Sequence, residues 1–373
     1  MPWRGWYCSD GRSDDAGAQA RSHHHLALRD AYTGWFALRS GWGDALWWLA
    51  LLNTFAPFLF APLLFLPPLA GVIQRRAAWL GVALPLTLFL FLYGEHFLPR
   101  PSHFVKKDVA VSVMSFNIWG WSRAPETARV IYDMGLPDVV LLQELSPQMA
   151  ETILTEVGDV YPHHLLETAE GYRGMGILSR YPLRELDTEA LTASSRWRMQ
   201  VVEVILEDRP FVLYHCHLQS TNILYLLEAN LSLPRQVRAS FAARERMINA
   251  LKTDIEARGQ PVIVAGDFNS TDQSAAYRML AQALTEAHRA VGWGFGHTFP
   301  AYAGRFRGVP IPPRLMRLDM VFYSRAFVAL RSRVGGTHGE SDHLPVVVEM
   351  AWRDQAHVEE FEASPPLKTP PVP

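Results

Sequence analysis

The stretch PVIVAGDFNS, residues 261–270, places an acid and an amide two positions apart after an uninterrupted apolar run. The β-branched residues before Gly266 predict a short strand that is buried on both faces. Asp267 and Asn269 then lie where this strand meets its loop, and ligand sites of layered α/β proteins collect at strand ends. Asp and Asn after Gly are also ordinary turn formers. The stretch therefore predicts an α/β fold, with a functional site and a simple turn as alternatives at its end.

Similar apolar runs recur on both sides of this stretch, between residues 105 and 353. They predict more strands than helices, and most of the strands are apolar on both sides. This pattern is typical of two mixed β-sheets that pack face to face with helices on their outer sides. The predicted strands span 109–120, 137–145, 174–180, 199–206, 210–218, 261–267, 317–324 and 345–352, and the predicted helices span 127–135 and 237–257.

Polar side chains stand at the ends of these strands. They are Asn117, Glu144, His217, Asp267, Asn269, Asp319, Asp342 and His343. Any one of them alone is more often a hydrogen-bonded structural group than a functional residue. As a set they predict a site in which carboxylates and amides suit a hard cation such as Mg²⁺. The histidines suit charge stabilisation and proton transfer near neutral pH.

Composition restricts the function less than these motifs do. A formal net charge of -2 gives no sign of bulk nucleic-acid binding, although it leaves a local basic patch open. Only two cysteines, Cys8 and Cys216, are present, so no disulfide framework is predicted.

The N-terminal quarter of the chain is apolar in a different way. Residues 45–72 contain no charged residue, and neither do residues 77–93. Because roughly 20 apolar residues cross a bilayer, residues 43–98 predict a transmembrane hairpin and an integral membrane protein. The alternative is a hairpin buried in the core of a soluble protein. Polar residues 1–42 and proline-rich residues 354–373 are predicted to be poorly ordered tails.

The orientation of this hairpin follows from the positive charges beside it. Arg75 and Arg76 in the short turn favour a cytoplasmic turn, which would place the catalytic part of the chain outside the cytoplasm. The opposite orientation is favoured by Arg39, Arg100, Lys106 and Lys107, which flank the hairpin on the other side.

Taken in order along the chain, the strand-end motifs resemble the endonuclease/exonuclease/phosphatase superfamily. The matching pieces are SFN (115–117), LLQE (141–144), GMGILSR (174–180), HCHL (215–218), VAGDFNS (264–270), RLD (317–319) and SDHLPV (341–346). That superfamily includes deoxyribonucleases, abasic-site endonucleases, inositol-polyphosphate 5-phosphatases and neutral sphingomyelinases. The resemblance implies a four-layered α/β sandwich and a metal-dependent phosphodiesterase, and the N-terminal hairpin is similar to that of a membrane-attached bacterial branch.

The resemblance also implies a role for each polar position. Glu144 would bind Mg²⁺, or Mn²⁺ in its place, with Asn117 beside it and Asp342 completing the metal or water shell. Asp267 would activate the attacking water, and Asn269 would hold that water or a phosphate oxygen. His343 would donate to the phosphate with Asp319 as its carboxylate partner, and His217 would stabilise the leaving group. His215 has no counterpart in the family and is interpreted as structural.

Two segments depart from the family pattern. Residues 221–236 form an apolar insertion that predicts either extra core packing or a lid that faces lipid near the site. Residues 292–317 mix aromatic residues with arginines, as in base-stacking loops and in membrane interfaces. From this segment Trp293, Arg305, Arg307 and Arg317 are predicted to bind substrate.

Three functions remain open from the sequence. A membrane-tethered, Mg²⁺-dependent phosphodiesterase that acts on a phospholipid or a similar phosphoester is favoured by the hairpin and the apolar insertion. A membrane-attached nuclease that cleaves DNA or RNA is favoured by the arginine and aromatic segment, and near-neutral charge weighs against it. A catalytically inactive membrane scaffold is disfavoured because every reactive position is filled. No protein partner is inferred.

Overall fold

The computed structural model describes residues 29–73, 76–98, 110–122, 125–192 and 199–354. The parts of the two predicted tails at residues 1–28 and 355–373 lie outside these ranges, as do Arg75, Arg100, Lys106 and Lys107. Within the described residues, 29–42 form helix α1 instead of the predicted poorly ordered chain. Tyr32 and Trp35 of this helix are buried in an aromatic cluster with Phe60, which gives α1 the apolar anchor that the sequence pattern did not indicate.

The first β-sheet has six strands in the order β13-β14-β1-β2-β4-β3. Strands β1 and β2 run parallel, and the other neighbours in this sheet are antiparallel. The strands are β1 (Val111–Asn117), β2 (Val139–Gln143), β3 (His163–Glu167), β4 (Met175–Ser179), β13 (Phe327–Val334) and β14 (Val346–Trp352), and the helices that connect them are α6 (Pro125–Asp133) and α7 (Pro147–Val157).

The second sheet also has six strands, in the order β5-β6-β7-β8-β12-β9. Here β7 and β8 are the parallel pair. The strands are β5 (Leu183–Glu185), β6 (Met199–Leu206), β7 (Arg209–His217), β8 (Val262–Asp267), β9 (Thr285–Glu286) and β12 (Asp319–Tyr323). The helices are α8 (Glu189–Thr192), α9 (Ile223–Glu228), α10 (Leu233–Arg258), α11 (Ala275–Ala281) and α12 (Ala287–Val291), and a hairpin is formed by β10 (Gly304–Phe306) and β11 (Val309–Ile311).

Three apolar cores hold the layers together. The first lies between the sheets and contains residues such as Val113, Phe211 and Ile263. A second core packs α10 and α11 on the outer face of the second sheet, and a third packs α6 and α7 on the outer face of the first. Because both faces of each sheet are covered, the strands need the continuous apolar runs seen in the sequence. The predicted α/β sandwich of two mixed sheets flanked by helices is confirmed.

The apolar N-terminal region does not form the predicted hairpin of two long spans. Predicted span 45–72 is divided into α2 (Trp47–Thr54), α3 (Ala56–Leu59), a 3₁₀ turn (Ala61–Leu64) and α4 (Leu66–Ile73). The breaks coincide with prolines, including Pro57 and Pro62, which lack the N–H of a helix interior and favour a new helix start. The second predicted span corresponds to α5 (Arg76–Tyr93), followed by a 3₁₀ turn (Gly94–Phe97).

We refer to residues 29–73 and 76–98 as the N-terminal layer. It packs on the sandwich through α2, because Ala50 lies in one apolar cluster with Val237 and Phe241 of α10. Five large apolar side chains of this layer are open to solvent, and we refer to them as its outer surface: Leu64, Phe65, Val72, Leu80 and Phe91 are between 71% and 81% exposed. Among the described helices, the stretch Trp79–Phe97 is long and apolar enough to cross a membrane, which is weak support for a membrane span.

Candidate active site

The topology brings the predicted polar residues to one edge of the sandwich. Parallel strands β1 and β2 end there with Asn117 and Gln143, and parallel strands β7 and β8 end there with His217 and Asp267. An antiparallel strand must begin where its neighbour ends. Strand β12 therefore begins with Asp319 directly opposite Asp267.

Asn117 joins the two sheets at this edge. Its Nδ2 donates to Glu144 Oε1 and to Asp267 Oδ2, both at 3.1 Å, although Glu144 follows β2 of the first sheet and Asp267 ends β8 of the second. The other Glu144 oxygen, Oε2, accepts from the Gly120 backbone N–H at 2.9 Å. Glu144 also has a positive φ of 63°, an uncommon backbone conformation for a residue other than glycine. Such strained positions cluster at functional sites.

Asp267 is buried and held by several donors. Its Oδ1 accepts from the Asn269 backbone N–H at 2.8 Å, and its Oδ2 accepts from Asn269 Nδ2 at 3.2 Å. The Asn269 amide also donates to the Leu218 carbonyl at 3.0 Å. These contacts form the tight turn that the sequence left open, and they place Asn269 in the site at the same time.

Gly266 makes this turn possible. Its φ is 149°, and a Cβ at this position would lie 1.8 Å from the Cys216 carbonyl oxygen on β7. Any side chain would therefore separate β7 from β8 and displace both His217 and Asp267.

His343 and Asp319 form a buried pair. The distance between His343 Nδ1 and Asp319 Oδ2 is 2.8 Å, so the carboxylate fixes the imidazole with Nδ1 protonated. The other ring nitrogen, Nε2, lies 3.8 Å from Asp267 Oδ2. Burial works to lower the pKa of His343, but the Asp319 and Asp267 carboxylates outweigh it and hold this pKa well above its usual value. Burial raises the pKa of Asp267, while the charge of His343 works in the opposite direction.

The two histidines of β7 have different surroundings. His217 Nε2 lies 3.7 Å from Asp267 Oδ2 and 3.8 Å from Glu144 Oε1, so its ring faces the carboxylates. His215 lies between two amides instead, with Gln143 Nε2 at 2.7 Å and Gln200 Oε1 at 3.0 Å. Burial, with the nearby His217 as a second cause, lowers the pKa of His215 to about 3. This closed environment supports its interpretation as a structural residue.

Ser341 contributes to the site although the sequence suggested no role for it. Its Oγ donates to the Asn117 carbonyl at 2.6 Å and accepts from the His343 backbone N–H at 3.0 Å. It thereby links the loop that carries His343 to the end of β1. Its position in the SDH motif was the one signal in the sequence.

The donor set fits a divalent cation. Ligand atoms of Asp267, Asp319 and His343 lie within 4.8 Å of one another. Asp319 Oδ1 is buried and has no hydrogen-bond partner among the residues that the structure describes, so one oxygen of this group is available. Glu144 and Asn117 offer further oxygens nearby. Carboxylate and amide oxygens are the ligands that hard cations prefer.

Asp342 lies beside His343 at the rim of the site. Burial raises the pKa of Asp342; the adjacent His343 opposes this shift and the Glu144 charge adds to it. Its backbone carbonyl accepts from Ala301 N at 2.7 Å, which joins the SDH loop to the segment 292–317. In the same segment the Phe299 ring packs 4.8 Å from the His343 ring, centre to centre.

Four residues of this segment were predicted to bind substrate, and they have different environments. Arg305 and Arg307 are exposed on the β10–β11 hairpin. Trp293 is 73% exposed, but its ring packs 6.0 Å from that of Phe97 in the N-terminal layer. Arg317 is 4% exposed, and its Nη1 lies 2.5 Å from Glu286 Oε2. Burial in this ion pair does not fit the predicted contact of Arg317 with substrate.

The apolar insertion forms α9 and the start of α10. Leu226 is buried, whereas Leu224, Tyr225 and Leu227 are between 39% and 58% exposed. The insertion is held beside the site because the buried Arg244 donates to Gln219 O at 2.8 Å and to Thr221 Oγ1 at 2.9 Å. Core packing therefore accounts for only part of this segment.

Comparison with known proteins identifies the family. The model of the endonuclease/exonuclease/phosphatase family matches residues 114–343, which include all eight predicted catalytic and metal-binding residues. The chain belongs to this family. Members of the family are metal-dependent phosphoester hydrolases, and the chain is an enzyme of that class.

The chain is also similar to solved structures, of which three are described here. An endonuclease/exonuclease/phosphatase from Beutenbergia cavernae is 22% identical, with 65% of this chain and 71% of that chain covered and a TM-score of 0.44. D. rerio TDP2 complexed with a single-strand DNA product is 19% identical over 64% of this chain and 98% of that one, with a TM-score of 0.49. The human Nocturnin catalytic domain with bound sulfate is 18% identical over 65% and 94%, with a TM-score of 0.46. No curated protein sequence matches the chain.

Proposed function

We propose that this enzyme hydrolyses a phosphodiester bond in a phospholipid or another phosphoester presented at a membrane surface. The observation that carries the hydrolytic part is the convergence of Asp267 with the His343–Asp319 pair at one strand-end edge. Phosphodiester hydrolysis needs an oriented water, stabilisation of the phosphoryl oxygens and a proton for the leaving group. Each of these tasks has a side chain of suitable chemistry at this edge.

In this mechanism Asp267 accepts the proton of the attacking water. Hydrogen bonds from the amides of Asn117 and Asn269 favour its ionised form, and they orient its Oδ2. Asn269 holds the attacking water or a phosphate oxygen. Because the His343 pKa is held high, its Nε2 donates to a phosphate oxygen, while Asp319 keeps the ring orientation.

His217 stabilises the leaving group in this mechanism, and its Nε2 lies 3.7 Å from Asp267 Oδ2. Glu144 and Asn117 would hold Mg²⁺, or Mn²⁺ in its place, and Asp342 would complete its shell. The bound cation would neutralise charge on the phosphoryl oxygens. Arg305 and Arg307 would bind anionic groups of the substrate.

A membrane substrate is supported by the distribution of exposed apolar residues. The outer surface of the N-terminal layer exposes Phe65, Val72 and Leu80, and α9 beside the site exposes Leu224 and Tyr225. Exposed apolar surface of this extent is typical of protein or membrane contacts. We propose that the N-terminal layer attaches the enzyme to the bacterial cell membrane, with the sandwich outside the cytoplasm.

Cleavage of DNA or RNA is the second candidate function. The exposed Arg305 and Arg307 favour it, because arginines neutralise phosphates along a nucleic-acid strand.

Hydrolysis by the full-length chain tests these proposals. The substrates are bis(p-nitrophenyl) phosphate, sphingomyelin and phosphatidylcholine vesicles, plasmid DNA and RNA, each with Mg²⁺ or with a chelator. We expect metal-dependent cleavage that is lost in Asp267→Ala and kept in Asp354→Asn, which changes an exposed carboxylate paired with Arg209. Preference for vesicles over DNA and RNA would support the lipid function, and the reverse preference would select the nuclease. A folded chain without activity on any substrate would contradict the hydrolytic proposal.

Membrane attachment is tested separately by flotation with phosphatidylglycerol and phosphatidylcholine vesicles. We expect the full-length chain to float with the vesicles and the double variant Phe65→Asp, Leu80→Asp to remain in the soluble fraction. Equal flotation of both proteins would reject attachment through this surface.

A further inference from the structure

The loop that follows Asp267 is buried under the N-terminal layer. This loop, Phe268–Ser274, begins at the site with Asn269, and Thr271, Gln273 and Ser274 are between 2% and 6% exposed. Most loops lie at the surface, because buried backbone loses contact with water. Here Arg39 Nη2 donates to Gln273 Oε1 at 2.6 Å, and Asp44 Oδ2 accepts from Ala275 N at 2.6 Å. The N-terminal layer therefore holds this loop through directed polar contacts.

Asp272, in the same loop, lies between a side chain of the N-terminal layer and a side chain of the sandwich. Its Oδ2 lies 3.5 Å from His96 Nε2 of the N-terminal layer and 3.7 Å from Nη2 of Arg317, which precedes β12. Burial alone would raise the pKa of Asp272, but His96 and the Arg317 guanidinium outweigh it and hold the pKa below its usual range. The carboxylate is ionised at neutral pH, and it joins the N-terminal layer to the sandwich.

The Arg317 guanidinium is itself fixed. Its Nη1 contacts Glu286, whose carboxylate also accepts from the backbone N–H groups of His288 and Arg289 at the start of α12. Arg317 thus lies between two carboxylates in a site where its own side chain is 4% exposed. Buried networks of this kind hold geometry when every member is present, and they lose it when one charge is removed.

Asp272 and Arg317 are close in sequence to both halves of the site. Asp272 is three residues after Asn269, and Arg317 is two residues before Asp319, the partner of His343. The backbone between them is shared as well, because Phe268 N donates to Leu318 O at 2.9 Å. A displacement of Asp272 would therefore change the position of Asn269, beside the water-activating Asp267, relative to Asp319, the partner of His343.

We propose that Asp272 is a positioning residue, and that His96 makes the seating of the N-terminal layer a condition for correct active-site geometry. The inference goes beyond attachment, since it makes this layer a working part of the catalytic unit, and it rests on the proposed hydrolytic function of the site. Any change that lifts the layer from the sandwich lowers turnover through the loop that carries Asn269.

The test uses full-length Asp272→Asn, His96→Ala and His96→Gln, with Glu95→Gln as the matched control. Glu95 is the neighbour of His96 and pairs with Arg289 across the same boundary, but at an exposed position. Steady-state kinetics with bis(p-nitrophenyl) phosphate and Mg²⁺ gives kcat and KM, and urea unfolding gives stability. We expect kcat to fall about 10²-fold in Asp272→Asn, because small misplacements of catalytic groups have effects of this size. KM should change less than about threefold.

The histidine variants separate positioning from stability. We expect His96→Ala to lower kcat about tenfold and His96→Gln to recover part of that loss, because glutamine restores a polar N–H group close to Asp272. Glu95→Gln should retain the wild-type kcat. If the variants unfold earlier in urea while the folded fraction keeps wild-type kcat, the role of Asp272 is structural only and the proposal is wrong.

A second measurement does not depend on activity. Hydrogen–deuterium exchange without substrate reports the amides of Phe268 and Asn269, which donate to Leu318 O and Asp267 Oδ1. We expect faster exchange at both amides in Asp272→Asn and His96→Ala than in wild type and Glu95→Gln. Unchanged exchange would overturn the positioning role. Inactive wild-type enzyme with this exchange difference would instead contradict the proposed function and leave the positioning intact.

Discussion

The sandwich and the N-terminal layer are both rich in apolar residues, but they bury them to different extents. Every residue of β8 is buried, because helices and a second sheet cover its two faces. In α5, Leu88 and Leu92 are buried, whereas Leu80 and Phe91 are exposed. Covering by protein on all sides gives the sandwich a rigid edge on which to hold a site. Partial covering leaves the N-terminal layer with a surface suited to an apolar environment.

The site at the rigid edge should give the largest effect. We expect Asp319→Asn to lower kcat about 10³-fold, because the amide no longer stabilises the His343 ring in the charged, Nδ1-protonated form. Asparagine and aspartate are almost equal in size, so the sandwich should stay folded in this variant. Steady-state kinetics with bis(p-nitrophenyl) phosphate, with circular dichroism as a check of folding, measures the loss. Turnover within threefold of wild type would remove the His343–Asp319 pair from the mechanism.

The inter-sheet core should give the largest loss of stability. Phe211 is fully buried and its ring lies 5.5 Å from Phe327 and 6.3 Å from Trp352, centre to centre. We expect Phe211→Ala to lower the free energy of unfolding by about 3–5 kcal/mol, because it removes a large side chain and leaves a cavity. Urea unfolding of wild type and Phe211→Ala measures this loss of stability. A loss below about 1 kcal/mol would show that the two sheets can close over the gap.

His215 should make the stability of the sandwich depend on pH. Its pKa in the fold is about 3, so the unfolded chain binds a proton below its usual pKa of about 6.5 while the folded chain does not. Stability therefore falls as the pH decreases from about 6.5 towards 3, by about 2 kcal/mol at pH 5. Urea unfolding of wild type and His215→Gln at pH 7 and pH 5 isolates this contribution. An equal decrease in both proteins would assign the acid sensitivity to other groups.

The outer surface of the N-terminal layer should give the smallest effect on stability. Phe65 is 74% exposed, so Phe65→Ala should change the free energy of unfolding by no more than about 0.5 kcal/mol in detergent-free buffer. Urea unfolding of Phe65→Ala and Phe211→Ala under the same conditions compares the two losses of stability directly. A loss comparable to that of the core variant would mean that protein, and not a bilayer, covers this surface.

The strands of the sandwich were predictable, and so was the residue set at their ends. Runs such as 261–267 are apolar at successive positions because both faces of the strand are covered, and the family motifs mark the polar residue that follows each run. The order of the layers, with two packed sheets inside and helices outside, also agrees with the prediction. Roles assigned to the individual residues, and the use of Mg²⁺, remain predictions that the proposed assays address.

The N-terminal region was less predictable because hydropathy does not distinguish one long helix from several short ones. Residues 45–72 have the composition of a span, but the prolines divide them into short helices, of which α2 packs on α10. Arg317 shows the same limit at a single position. A basic residue among aromatic residues suggested substrate binding, whereas Glu286 and Asp272, distant in sequence, determine where its side chain lies.

The amino-acid sequence was enough to predict the α/β sandwich, the family and the acids, amides and histidines at the strand ends. These features depend on local composition and on motif order, which the chain carries directly. The folded chain was needed to show that Asn117 bridges Glu144 and Asp267, that Ser341 links the His343 loop to β1, and that His96 lies beside Asp272. Each of these contacts joins residues far apart in the chain, so it exists only after the two sheets and the N-terminal layer have packed together.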